Sequence, residues 1–323
     1  MKAASAVRAD GTVAEVDYQI SYGKASVPVY RQYAARLGGL PEIPESPLRG
    51  RDNALFANEV TVEVFGDNFL PSYTHGDNSN VVATDSMKNF ILRQGREFDG
   101  ATLEGFLDHL GNGFLAKYEQ MRGIRMSGVE IPFSVPVVPD GEAFVLSGVV
   151  RQRQWSDRST ASLRYQRDGD GGEIVEHSCG RVGMELLKTK GSAFTRFVRD
   201  EYTTLPDRQD RPLFIGLDLH WQYAEPIDAV GGDASVYVAG EQVRDVCVAV
   251  FDEFVSESIQ ELLHEMGKRL LERYPQVAAV ELIGRNQTRD PYAVPDDASD
   301  DRKVFVPPFP AFGTIELKMT RTG

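Results

Sequence analysis

One order of elements is written twice along this chain, and that repetition constrains the fold more than any single motif does. Alternating apolar residues predict strands near 12–22 and 58–68. A short helix is expected after Asp85, and a stronger one over about Thr102–Met121, where Leu103, Phe106, Leu107, Leu110, Phe114, Leu115 and Tyr118 share one face. Strands near 124–135, 143–151 and 160–167 follow, and the turn-forming run Asp168-Gly169-Asp170-Gly171-Gly172 marks a boundary. Beyond it, strands near 173–189 and 212–224 precede helices near 238–254 and Ser258–Tyr274. The second of these helices opens on a Ser258/Glu261 capping box, and strands near 277–285 and 312–319 close the pattern. Each half reads strand-strand-helix-helix-strand-strand, which predicts an α+β unit with an antiparallel sheet covered on one face by two helices. Two tandem units are expected, 1–169 and 170–323. Their sequence identity is negligible, so the repeat is architectural. The Pro/Gly-rich, charged stretch near 38–53 reads as an insertion in the first unit, and the acidic, Pro-rich stretch Asn286–Phe312 as a long surface loop.

A formal net charge of −13 argues against nucleic acid or an anionic membrane surface as the main partner. Any site for an anion must therefore be locally basic. The cysteines are only Cys179 and Cys247, far apart, which implies neither a disulfide framework nor a thiolate metal site and fits a reducing cytoplasm. The histidines His75, His109, His177, His220 and His264 show no metal-ligand spacing, so no metal is expected. There is no dinucleotide-binding glycine fingerprint and no P-loop. Residues 1–8 lack the apolar run of a signal peptide, no stretch is apolar enough to span a membrane, and Arg321-Thr322-Gly323 is not a Ser-Lys-Leu address.

The chemistry-bearing segments are scattered. In Ser72–Asn89, a strand signal (Val81, Val82, Ala83) runs into Thr84-Asp85-Ser86, residue types that cap helices, so a hydroxyl and a carboxylate are expected where a strand ends and a helix begins. Separate blocks are Tyr22-Gly23-Lys24, Lys188–Phe194, Arg199-Asp200-Glu201-Tyr202-Thr203-Thr204-Leu205 with Asp210-Arg211, Ser256-Glu257-Ser258-Ile259-Gln260, and Asn286. Each residue has an ordinary role open to it alone. Arg211 could form a surface ion pair, Gln260 could be solvated on a helix, Phe194 could be plain core, and Thr84 could be a cap.

Taken together, in this order, these blocks resemble the cofactor-free urate oxidases (uricases). The resemblance implies the tunnelling fold (T-fold), in which two units per chain close into a barrel by forming a homotetramer with sites between subunits. It also implies an oxidoreductase of purine catabolism that converts urate, dioxygen and water to 5-hydroxyisourate and hydrogen peroxide without a cofactor. Urate is flat, anionic and edged with donors and acceptors. The Arg211 guanidinium could grip one edge with parallel hydrogen bonds, and the Gln260 carboxamide could match an amide-like edge. The Ile259 N–H lies near a helix start, and Phe194 could stack on the ring. By the same resemblance Lys24 and Thr84 form the proton-transfer pair, Asp85 contacts substrate through its backbone, and Asn286 holds oxygen or water above the ring. One position departs from the family: Thr288 stands where a relay histidine is expected, and a hydroxyl can pass a proton but cannot act as an imidazole base. That departure motivates an alternative, a non-catalytic urate- or purine-binding protein on the same fold. A pterin-type enzyme of the wider tunnelling-fold group ranks lower because the histidine cluster such enzymes use is missing.

Overall fold

The computed structural model describes residues 4–7, 13–169, 171–209, 211–253, 255–287, 289–294 and 302–322, with the backbone alone described for 4–7 and 13–15. The main elements are β1 (Ser21–Gln32), β2 (Leu55–Phe65), α1 (Thr84–Glu97), α2 (Leu103–Lys117), β3 (Gly123–Glu130), β4 (Arg158–Asp168), β5 (Gly171–Lys188), β6 (Leu213–Tyr223), α3 (Gly240–Glu253), α4 (Ile259–Arg273), β7 (Val277–Asn286) and β8 (Gly313–Thr320). The expected order is therefore present twice. The chain condenses into two compact units: 1–35, 53–129 and 161–177 form the first, and 36–52, 130–160 and 178–323 the second.

In the first unit, β1, β2, β3, β4 and the start of β5 lie side by side in chain order. β1 and β2 are antiparallel, with Lys24 opposite Val62, and the register shifts between Lys24 and Val27. Gly23 is required there, because a Cβ would lie 1.9 Å from the Val62 carbonyl oxygen. Alternate residues of β2 (Val60, Val62, Val64) turn inward against Met87 and Ile91 of α1 and Phe106, Leu107, Leu110 and Phe114 of α2, all fully buried. In the second unit, β5, β6, β7 and β8 are consecutive antiparallel neighbours. Leu217, Leu219, Val246, Cys247, Leu262, Leu263, Met266 and Leu282 form the core beneath α3 and α4. Cys179 and Cys247 are both buried, and burial pushes the Cys247 thiol up to about 12.

Both units finish their second helix in the same way. Thr102 caps α2 by accepting the Gly105 N–H, and Arg167 at the end of β4 donates to the Leu115, Tyr118 and Met121 carbonyls at the C-terminal end of α2. Ser258 caps α4 by accepting the Glu261 N–H, and Arg321 just after β8 donates to the Leu271, Tyr274 and Val277 carbonyls. Of the expected capping box the Ser258 half is present, but the Glu261 carboxylate accepts from the Glu257 N–H, one residue before the cap.

Several expectations are corrected. The 12–22 strand is instead a short strand Val13–Val16 followed by β1. Val81–Ala83 are not a strand, and α1 is not short but runs 14 residues. Val81 and Val82 have strand-like side chains but no partner strand. The 143–151 strand is shorter and lies off the main sheet, with Ala143–Leu146 pairing Val137–Asp140 in a separate hairpin. The 286–312 loop contains a ribbon, Pro291–Ala293 against Val304–Phe305. The 38–53 insertion is firmly held within the second unit. Arg51 forks onto Glu241 of α3 at 2.6 and 2.5 Å, Ser46 donates to Asp245, and Glu45 receives Arg269 and Arg273 of α4. Burial alone would raise the Glu241 carboxyl, but the Arg51 charge beside it holds it at about 2.

Candidate active site

The residues singled out from the sequence fall into two groups, one in each unit. In the first, Lys24 sits half-buried on β1 just before the register shift, and Thr84 and Asp85 open α1. The ordinary capping role open to Thr84 is not the one seen: Ala83 occupies the cap position, no side chain closes it, and Thr84 is the first helical residue, exposed. The Asp85 carboxylate accepts from Lys88 Nζ at 2.6 Å and Asn89 Nδ2 at 2.9 Å. Its pKa is lowered, first by the Lys88 hydrogen bond and charge, with a smaller contribution from Lys24. That contribution brings Lys24 into the electrostatic neighbourhood of the α1 start. Tyr22, two residues before Lys24, holds the approach to this helix, because its hydroxyl accepts the Val82 N–H at 3.2 Å and its ring packs edge-on to Phe69 at 5.0 Å. Sequence reasoning gave Tyr22 no role. Its place in the Tyr-Gly-Lys block was the available signal.

In the second unit, the chain between β5 and β6 is pinned by backbone pairing. Ala193 N–H donates to the Ser256 carbonyl, Phe194 exchanges both backbone hydrogen bonds with Arg208, and Arg211 N–H donates to the Ser192 carbonyl. These bonds bring Phe194, Arg211 and the Ser256–Gln260 block together. The Arg211 guanidinium carbon lies 5.9 Å from the centroid of the Phe194 ring, and Phe197 stacks on the same ring at 5.0 Å. The nearby Arg199 and Arg208 pair with Asp207 and Asp290 at 3.0 Å, and Arg196 pairs with Glu257. Arg211 has no carboxylate partner among the described residues, and its buried Nε has no hydrogen-bond acceptor. Burial, and then the neighbouring Arg208, pull its pKa down from the usual value, while an arginine stays charged at neutral pH. The hydroxyls of Ser192 and Ser256, both buried, also have no hydrogen-bond partner among the described residues. Sequence patterns cannot reveal such vacancies, because they are set by residues distant in the chain.

Ile259 and Gln260 are the first two residues of α4. Ile259 is buried and packs toward Gly284 of β7, while Gln260 is exposed. The Ser258 hydroxyl takes the third N–H of the helix and not the first two. Asn286 ends β7 opposite Ile215, on the inward-facing side of the strand two residues past Gly284. Thr288 lies outside the described residues. The arrangement in this unit is thus a guanidinium with no counter-ion among the described residues, an aromatic face, a carboxamide and the start of a helix. Such a set suits a planar anion. No group of three or more His, Cys, Asp or Glu side chains is placed to hold a metal ion among the described residues, and no helix among them is long and apolar enough to cross a membrane.

The chain is similar to known proteins over most of its length. The uricase family model matches residues 51–153 and 177–316. A uricase of Haloferax volcanii is 47% identical over 94% of this chain and 98% of its own length. The uric acid degradation bifunctional protein PucL of Bacillus subtilis is 41% identical, covering 94% of this chain and 61% of that protein. A crystal structure of urate oxidase from Bacillus sp. TB-90 superposes with a TM-score of 0.90 at 40% identity, over 94% of this chain and 100% of that one. A uricase structure from Bacillus fastidious gives 0.91 at 39% identity, over 94% of each chain.

Proposed function

The chain belongs to the uricase family, and from that premise we propose how its residues carry out urate oxidation in purine degradation. Arg211 clamps one edge of urate while Phe194 lies against the ring, and Gln260 with the Ile259 N–H reads a second edge. Thr84 and the Asp85 backbone meet the remaining edge, and Lys24 with Thr84 takes a proton from urate. The electron-rich anion then gives two electrons to dioxygen, which leaves as hydrogen peroxide after gaining two protons. Water held by Asn286 adds to the oxidised ring, giving 5-hydroxyisourate. No metal or organic cofactor takes part; the purine carries the redox chemistry, and the protein supplies position and charge.

The two groups of residues belong to different units, and we propose that each complete site joins the first unit of one copy to the second unit of another within a homotetramer of T-fold units, 1–169 and 170–323 in sequence. We place the protein in the cytoplasm, in keeping with its reduced, buried thiols, with no nucleic acid or membrane as partner.

The observation that carries the site reading is Arg211, the arginine of its cluster with no counter-ion among the described residues, set over an aromatic face. The test is ultraviolet loss of urate together with peroxide release by metal-free protein. One peroxide per urate is expected, and urate binding without peroxide would overturn the reading. Thr288→His should raise turnover or shift its pH profile. An unaltered pH–rate profile would remove position 288 from the proton path.

A further inference from the structure

A second cleft lies in the second unit, on the face of β6 turned away from its core. It has a volume of about 460 Å³ and is lined by Leu187, Thr189, Lys190, Pro212, Phe214, Gln287, Arg289, Lys303 and Phe305. Strand alternation explains its position. Leu187 and Phe214 are register partners, and Phe214 points away from the core that its neighbours Leu213 and Ile215 face. None of the urate-site residues proposed above lines it.

Its wall is chemically specific. Phe214, Phe305, Pro212 and Leu187 are apolar, and the Arg289 guanidinium lies over the Phe214 ring at 4.9 Å. Lys190, Arg289 and Lys303 bring their charges to one opening, and among the described residues no ion pair joins any of them to a carboxylate. In a chain of net charge −13, three cations gathered at one opening with no carboxylate on them among the described residues form a locally basic spot that favours an anion. The backbone brings them together: the ribbon pairing Pro291 with Phe305 folds Lys303 and Phe305 back beside Arg289.

We propose that this cleft binds a nucleoside monophosphate, with the base against Phe214 and Phe305 and the phosphate dianion between Lys190, Arg289 and Lys303. Aromatic walls select a flat ring, and several convergent cations match a dianion better than a singly charged carboxylate. The cleft is also wired to the urate side. Gln287 follows Asn286, with its N–H on the Phe214 carbonyl at 3.2 Å, and Pro212 follows Arg211. Asp290 at the base of the ribbon pairs with Arg208, whose backbone holds Phe194.

The test is calorimetric titration of the full-length protein with adenosine 5′-monophosphate, with adenosine and inorganic phosphate titrated separately. The nucleotide should bind at least tenfold tighter than either part. The combined Lys190→Ala, Arg289→Ala and Lys303→Ala variant should lose at least tenfold in nucleotide affinity while keeping its turnover of urate in the absence of nucleotide. Single Arg289→Ala repeats the measurement should the triple variant fold poorly. Arg211→Ala should leave nucleotide affinity unchanged. Absence of nucleotide binding, phosphate binding as tightly as the nucleotide, or binding that is lost with Arg211→Ala but kept in the cleft variants would each overturn the proposal.

Discussion

The two halves of the chain have the same helices and use opposite ones. α1 and α3 each span 14 residues, and α2 and α4 each span 15, with a hydroxyl cap on the second helix of each pair and an arginine closing its far end. In the first unit the start of the first helix is exposed and carries Thr84 and Asp85, while the start of the second, Leu103 and Glu104, is buried. In the second unit the reverse holds. Glu241 at the start of α3 is committed to Arg51 of the insertion, and the start of α4 presents Gln260. One scaffold thus supplies two kinds of surface. The acid at the second position of α1 is free to hold an exposed helix start through Lys88. Its counterpart at the second position of α3 is consumed in fastening the insertion. In the proposed reaction the first unit handles protons and the second grips the purine.

That division of labour can be broken by experiment. Lys24→Ala should lower kcat by about 10²–10⁴-fold with a much smaller change in KM, the range expected for loss of a general base. Steady-state kinetics with urate would reveal an equal loss in both, and that result would move Lys24 to the binding half. Glu241→Ala should destabilise the protein by about 3–5 kcal/mol in urea unfolding, because it strands Arg51 without its partner. Asp85→Ala, at the matching position of the first unit, should leave the midpoint unmoved. Similar shifts for both would erase the contrast between the two helix starts.

The same pair sets a pH dependence. The folded Glu241 carboxyl is held at about 2, below its unfolded value of ~4.3. Its contribution is therefore complete above the unfolded value and disappears as pH falls through about 2. Acid unfolding of Glu241→Gln should lack that component, and an identical acid profile would count against the pairing. Arg211→Ala should weaken urate binding by about 10–10²-fold, as expected for loss of charge-assisted hydrogen bonds, with the fall in kcat the lesser effect. Competition by a non-oxidisable purine measures it, and unchanged affinity would take Arg211 out of the clamp. Ser258→Ala should cost about 1 kcal/mol of stability, close to the effect of Thr102→Ala, since both hydroxyls cap equivalent helices. A large KM change from Ser258→Ala alone would mean that the cap also orients Gln260.

The helices and the doubled element order were legible in the sequence because they rest on local periodicity: Leu103, Phe106, Leu107, Leu110 and Phe114 line up at helical spacing and are buried together. The site residues could be named only because several separated blocks agreed with one family. Local pattern misread Val81–Ala83, since β-branched side chains describe a strand whether or not a partner strand exists. It could not show that Tyr22 fastens Val82, that Asp290 takes Arg208, or that the insertion reaches α3 through Arg51. Each of these is a meeting of residues far apart in the chain, decided by packing.

The burial of Cys179 and Cys247 has a practical corollary. Neither sulfur meets solvent in the folded second unit, so an alkylating reagent can modify them only when that unit opens. The rate of native-state alkylation is thus an intrinsic clock for its opening, readable by mass without dye or label, and urate should slow that clock in proportion to the grip of the purine-binding half.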